Sequence, residues 1–277
     1  MARDVAVEVA VRWLVCALAL GFASAAEAVP QRVVSLDYCA DQFVLALADR
    51  DQIAALSRGA QRDDSHYRAR ARGIRQTRGT LEEVLALRPD LIVRNWGGPW
   101  DAQEVYGRFG VPVLQVGDST DFDAARLDIR EAAAAFGQRA RGEALVRDLD
   151  ARLQHLRATA PPHRAAVMYL SAGGAVAGRG TLMDVVITEA GGRNLRSEQN
   201  WAVLPVEQLV QTPPALVALG FFDHGRTRMN AWRPTRHAAV TRALAHARTI
   251  ELPVASVSCE TWLAIDAAER IRAALRP

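Results

Sequence analysis

Short apolar runs alternate with amphipathic stretches along most of this chain. In the first half, Arg32 to Leu36, Ile53 to Leu56, Asp90 to Arg94 and Pro112 to Val116 read as strands. Ala40 to Ala48, a stretch opening at Thr80, and Asp101 to Phe109 read as the helices between them. Apolar runs of this length without polar alternation suit strands covered on both faces, so the pattern predicts a parallel sheet flanked by helices. Thr80-Leu81-Glu82-Glu83 has capping-box spacing, with Thr80 as N-cap and Glu83 expected to reach back to the Thr80 amide.

From Asp123 to Ala158 the pattern changes. Proline is absent, only Gly137 and Gly142 interrupt a helix-favouring sequence, and Leu145, Leu149, Leu153 and Leu156 fall on one helical face. The stretch ends at Pro161-Pro162, after which strand and helix alternate again: Ala165 to Leu170, Leu182 to Ala190, Val206 to Val210, Ala215 to Leu219, Ala238 to Ala245, Thr249 to Leu252 and Leu263 to Leu275. One unit occurs twice. Leu81 to Val93 and Val206 to Ala218 match at an offset of 125 residues, which superimposes Glu82 on Glu207, Pro89 on Pro214 and Leu91 on Leu216. In each copy a short helix stops before a proline and a buried strand follows. The expected fold is therefore α/β, with two Rossmann-like lobes of parallel sheet joined by a single long connecting α-helix. Its boundaries are an N-terminal lobe at 29–137, the connecting helix at 138–160 and a C-terminal lobe at 161–277.

Composition narrows the class. With 277 residues, 50% of them hydrophobic and 23% charged, the chain can bury one large core or two ordinary ones. The net charge of +3 comes from arginines scattered among acids rather than from a continuous basic face, and no nucleic-acid-binding signature accompanies them. Arg3 and Arg12 precede the apolar run Trp13 to Ala23, and Ala26-Glu27-Ala28 supplies an A-x-A cleavage pattern, so residues 1–28 read as a signal peptide. Export to the periplasm leaves Cys39 and Cys259. In an oxidising compartment they either pair, tying the two halves together, or remain separate buried thiols, and sequence leaves both readings open.

The segments Val33 to Gln42, Gly79 to Val93, Gly178-Arg179-Gly180-Thr181-Leu182, and Leu252-Pro253 followed by Cys259 together resemble the periplasmic substrate-binding proteins of ABC importers for cobalamin and ferric siderophores. The resemblance runs from about Arg32 to Leu275. It implies a monomer that holds a corrinoid or ferric chelate between its lobes, with no resident cofactor, and hands it to an inner-membrane permease dimer. It also implies that Glu82 and Glu207 dock on arginines of the two permease subunits. Exposed carboxylates at helix starts are stabilised by the helix dipole and stay free to meet a guanidinium.

Open α/β sheets bind ligands beyond the C-terminal ends of their strands. Residues in those loops are Tyr38, Tyr67, Trp96, Trp100, Arg179, Trp201, Trp232 and Trp262, and they form the expected ligand set. Flat aromatic faces suit a large planar ligand, while arginine suits an anionic one. Interlobe packing is an equally good reading for any single tryptophan. Two departures from the family pattern bear on the C-terminal wall: the polar segment Phe221 to Arg236, and Glu260-Thr261-Trp262 in place of a glycine-rich stretch. Walker and dinucleotide fingerprints, a G-x-S-x-G elbow and paired zinc-type histidines are all missing, so enzymatic chemistry is not expected. The alternatives are an exported two-lobed enzyme acting on a metal chelate, and a binding protein for heme or a bare metal ion.

Overall fold

A computed structural model describes residues 29–221 and 238–276. In the N-terminal lobe five parallel strands lie in the order β3-β2-β1-β4-β5. They are β1 (Val33–Ser35), β2 (Ile53–Ser57), β3 (Gln76–Thr77), β4 (Leu91–Arg94) and β5 (Val113–Gln115). The central strand β1 is buried throughout and pairs in register with β4, Val33 opposite Leu91 and Ser35 opposite Val93. In the C-terminal lobe β6 (Ala166–Ser171) occupies the equivalent place. It pairs in parallel with β8 (Arg193–Asn194) on one side and β10 (Leu216–Gly220) on the other, and β10 pairs with β11 (Thr249–Leu252).

The repeat read from sequence is present in three dimensions. The helices Leu81–Ala86 and Val206–Gln211 keep the offset of 125 residues, and each leads into the strand beside the first strand of its sheet. The lobes then diverge. Two short strands, β7 (Ala175–Ala177) and β9 (Trp201–Val203), extend the C-terminal sheet with antiparallel pairing on its cleft side.

Two long helices link the lobes. Phe122–Ala135 ends near Gly137, whose positive φ of 71° reverses the chain into Arg139–Ala158. The two helices pack closely: a Cβ at Gly142 would run into the Ala133 side chain. On Arg139–Ala158, Val146, Leu149, Leu153 and Leu156 face inward, while Leu145 lies half-buried at the edge. Arg152 ties this helix to the last one, Ile265–Leu275, through Glu269 at 2.7 Å and Asp266 at 2.5 Å. The buried Arg272 guanidinium donates to the carbonyls of Leu156 (2.5 Å) and Thr159 (2.7 Å) at the connecting helix's C-terminus, satisfying acceptors that a helix end leaves open.

The two lobes meet in a common core. One continuous buried cluster runs from Val33 and Phe43 through Leu149 and Leu153 to Tyr169, Ile187 and Ile271. Beneath the cleft the lobes share a core, which limits how far they can swing.

Candidate functional site: the interlobe cleft

The N-terminal wall is organised by Asp37, a buried residue just beyond β1. One carboxylate oxygen caps the helix Tyr38–Leu47, accepting from the amides of Cys39 (3.1 Å) and Ala40 (2.9 Å). The other accepts from the amides of Asn95 (2.8 Å), Trp96 (3.1 Å) and Gly97 (2.9 Å) in the loop after β4. Five donors on a single carboxylate fix the two segments against each other. Glycine is required at position 97, because a Cβ there would lie 2.5 Å from the Leu36 carbonyl oxygen. Held this way, Trp96 meets Tyr38 edge-to-face at 5.8 Å and keeps 58% of its surface exposed towards the cleft.

Behind this wall lies Asp41, fully buried, which accepts from the Ser57 amide at 3.0 Å and hydroxyl at 2.6 Å. Burial is the main cause of its pKa rising to about 7, against the lowering effect of those hydrogen bonds.

The floor is the segment Ser256 to Glu260, which is bound to the N-terminal lobe although it follows the last strand of the C-terminal sheet. Cys259 forms a disulfide with Cys39, their Cα atoms 5.6 Å apart. The Ser258 hydroxyl donates to the Asp64 carbonyl at 2.9 Å, and the Ser119 amide donates to the Glu260 carbonyl at 3.0 Å. From the opposite side, Trp201 on the edge strand β9 stacks edge-to-face on Tyr169 at 5.6 Å and shares the cavity lining with Glu260. Burial, followed by the nearby charge of Asp118, pushes the Glu260 carboxyl above its ordinary range, partly opposed by the polar influence of the Trp201 side chain. Burial alone holds the Tyr169 phenol well above its usual value, so it stays neutral.

These groups enclose a cavity of about 390 Å³. Trp96 forms one wall, Trp201, Tyr169, Phe221 and Met183 the other, and Asn95, Asp118 and Glu260 supply polar edges. Ser171, Ser256 and Ser258 also line it, so aromatic walls combine with polar edges, the make-up expected of a site for a large, flat ligand with a polar rim. Among the described residues no cluster of three His, Cys, Asp or Glu side chains is arranged to hold a metal ion.

Of the expected ligand set, the structure brings Trp96 and Trp201 to the cleft, with Tyr38 packed behind Trp96. Trp262 is a correction: it is 3% exposed and packs edge-to-face on Phe43 at 4.7 Å, inside the core beneath the floor. Tyr67 is also away from the cleft, half-buried with the Arg70 guanidinium 4.7 Å above its ring. Trp100 is 91% exposed, its carbonyl accepting from Arg94, and it does not line the cavity. Arg179 is exposed and bridges to Gln199 outside the lining. Trp232 lies outside the described residues. Glu82 and Glu207 are both exposed in the first turns of the paired helices. The capping box is half formed: the Thr80 hydroxyl accepts from the Glu83 amide, but Glu83 accepts from the Arg78 amide at 2.9 Å instead of reaching the Thr80 amide. Sequence reasoning missed Asp37, Asp118 and Tyr169. An aspartate immediately after a buried strand and before a helix was an available N-cap signal for the first; the other two carry no local signature.

Two α/β lobes, each with a mostly parallel sheet, joined by long helices around an aromatic cleft define a solute-binding protein of the helical-backbone class, class III. The sequence profile of the periplasmic binding protein family matches residues 33–221, and the chain belongs to that family. Its members bind without catalysing, and their place is the periplasm. Among curated relatives, a vitamin B12-binding protein of Pectobacterium carotovorum is 26% identical over 223 residues, covering 76% of this chain and 78% of its own. Among solved structures, the periplasmic heme-binding protein HutB of Vibrio cholerae superposes with a TM-score of 0.71 at 18% identity, covering 89% of this chain and 99% of that one. The vitamin B12-binding protein BtuF of the same organism gives 0.66 at 20% identity, with 88% and 96% covered.

Proposed function

We propose that this protein is the periplasmic binding component of an ABC importer for a metal tetrapyrrole, of the heme or cobalamin class. It captures the macrocycle in the interlobe cleft and delivers it to a permease in the inner membrane. The observation that carries this reading is that Trp96 and Trp201, from opposite lobes, both line one cavity of about 390 Å³. A curated relative named for vitamin B12 binding and structural neighbours named for heme binding support the ligand class. A ferric siderophore has less support, because the cationic groups that suit an anionic chelate do not line the cleft among the described residues.

Docking falls to Glu82 and Glu207. Both are exposed, lie in matched helices and stand apart from the cleft lining. Tryptophan-fluorescence titration of the purified protein with cyanocobalamin, hemin and a ferric siderophore tests the reading. A tetrapyrrole should bind one-to-one and be recovered with its absorption spectrum unchanged. Charge reversal at Glu82 and Glu207 together should lower cellular uptake and leave that affinity intact. Failure of both tetrapyrroles to bind would overturn the ligand class, and unchanged uptake by the double reversal would overturn the docking role.

A further inference from the structure

Among the described residues, the charged side chains that line the cleft are all acidic. Asp118 and Glu260 line it, and no arginine, lysine or histidine does so among the described residues. Both residues are held in place. Glu260 is fixed through its backbone: its carbonyl accepts from the Ser119 amide, and the preceding Cys259 is tied to Cys39. Asp118 follows Gly117 with a left-handed φ of 64° and accepts from the Asn95 side-chain amide at 3.1 Å. The two acids are neighbours, joined through the backbone hydrogen bond between Ser119 and Glu260, and both line the aromatic slot.

An ionised carboxylate can only accept hydrogen bonds. A ligand rim bearing primary amides offers donors to Asp118 and Glu260, and those bonds are charge-assisted. A rim bearing carboxylates offers only like charge, in a cleft where walls of low polarity strengthen the repulsion. Discrimination by an unfavourable contact is an effective route to specificity.

We propose that Glu260 and Asp118 are specificity-determining residues that act as a charge filter, admitting a metal macrocycle with an amide-bearing rim and turning away one with free carboxylates. This rests on the tetrapyrrole reading above and adds to it a rule for choosing among such ligands.

The direct test compares two probes with the same ring and metal on the wild-type protein: dicyanocobinamide, whose rim carries amides, and dicyanocobyrinic acid, whose rim carries carboxylates. Hemin, with two propionates, is the third probe. The filter predicts that dicyanocobinamide binds at least about tenfold more tightly than either carboxylate-bearing ligand. In the double variant Glu260→Gln, Asp118→Asn that preference should shrink by about tenfold, mainly through tighter binding of the acids. Equal affinity for the two corrins, or a preference unchanged in the double variant, would overturn the filter. Tight hemin binding with no corrinoid binding would overturn it while leaving the tetrapyrrole reading intact. If the wild-type protein binds none of the three probes, the tetrapyrrole reading itself falls and the filter with it.

Discussion

The two lobes share a helix–strand unit at a fixed offset of 125 residues, yet they build their cleft walls by different means. On the N-terminal side a single buried carboxylate, Asp37, gathers five backbone amides from a helix start and a loop, and Asp41 locks the same helix to β2. The helix in the corresponding place on the C-terminal side, Leu182–Glu189, has a lighter cap: Thr181 accepts from the Asp184 amide at 3.3 Å and donates to the Gly178 carbonyl at 2.7 Å. That wall takes its shape from the added antiparallel strands β7 and β9, with Trp201 44% exposed on the outermost one. The contrast separates a preorganised wall that positions Trp96 from an edge-strand wall that can change its ligand contacts with little cost to the core. Edge strands tolerate such change because only one of their flanks is paired.

The comparison breaks most visibly at Asp37. Asp37→Ala leaves five amides without their acceptor, and each buried orphan costs about 1–3 kcal/mol before water repairs some of them. A total loss of roughly 3–5 kcal/mol in denaturant unfolding is expected, together with loss of ligand binding as the Trp96 loop is released. A loss under about 1 kcal/mol would show that Asp37 does not organise the wall.

Asp41 sharpens the same side through pH. Its folded pKa of about 7 stands above the ordinary 3.8, so the stability linked to its protonated form is fully present below about pH 4 and is lost as pH rises through 7. Asp41→Asn removes this dependence. The stability of the variant relative to wild type should therefore climb between pH 4 and pH 7.5, measured by urea unfolding at matched ionic strength. Parallel curves for the two proteins would show that Asp41 does not titrate in that window.

The smallest effect belongs to the other lobe. Thr181→Ala should cost only about 1 kcal/mol, the ordinary value of a hydroxyl N-cap, and leave the Trp96 wall untouched. A loss matching that of Asp37→Ala would erase the asymmetry between the walls.

Much of the architecture was legible in the sequence because it is local. The paired units around Glu82 and Glu207 show themselves through a helix signal, a proline stop and an apolar run, and the leucine spacing of Arg139–Ala158 marks its inner face. Strands β3, β7, β8 and β9 are two or three residues long, too short for any periodicity to declare them. The site was legible only in part, for a similar reason. A loop tryptophan reads the same whether it ends up in a cleft or a core: Trp96 and Trp201 reach the slot, while Trp262 is buried by its meeting with Phe43, a residue more than two hundred positions away. Glu260 becomes part of the floor because the disulfide and the Ser119 hydrogen bond bring the end of the chain back to its beginning. No local pattern encodes that return.

In the proposed complex the ligand sits between Trp96 and Trp201, away from the exposed Trp100. Calorimetric titration of Trp96→Ala, Trp201→Ala and Trp100→Ala with dicyanocobinamide and with hemin tests it most directly. The macrocycle bound by wild type should be held about tenfold or more weakly by each of the first two variants and within roughly threefold of wild type by the third. Undiminished affinity in Trp96→Ala and Trp201→Ala, or an equal loss in Trp100→Ala, would contradict it.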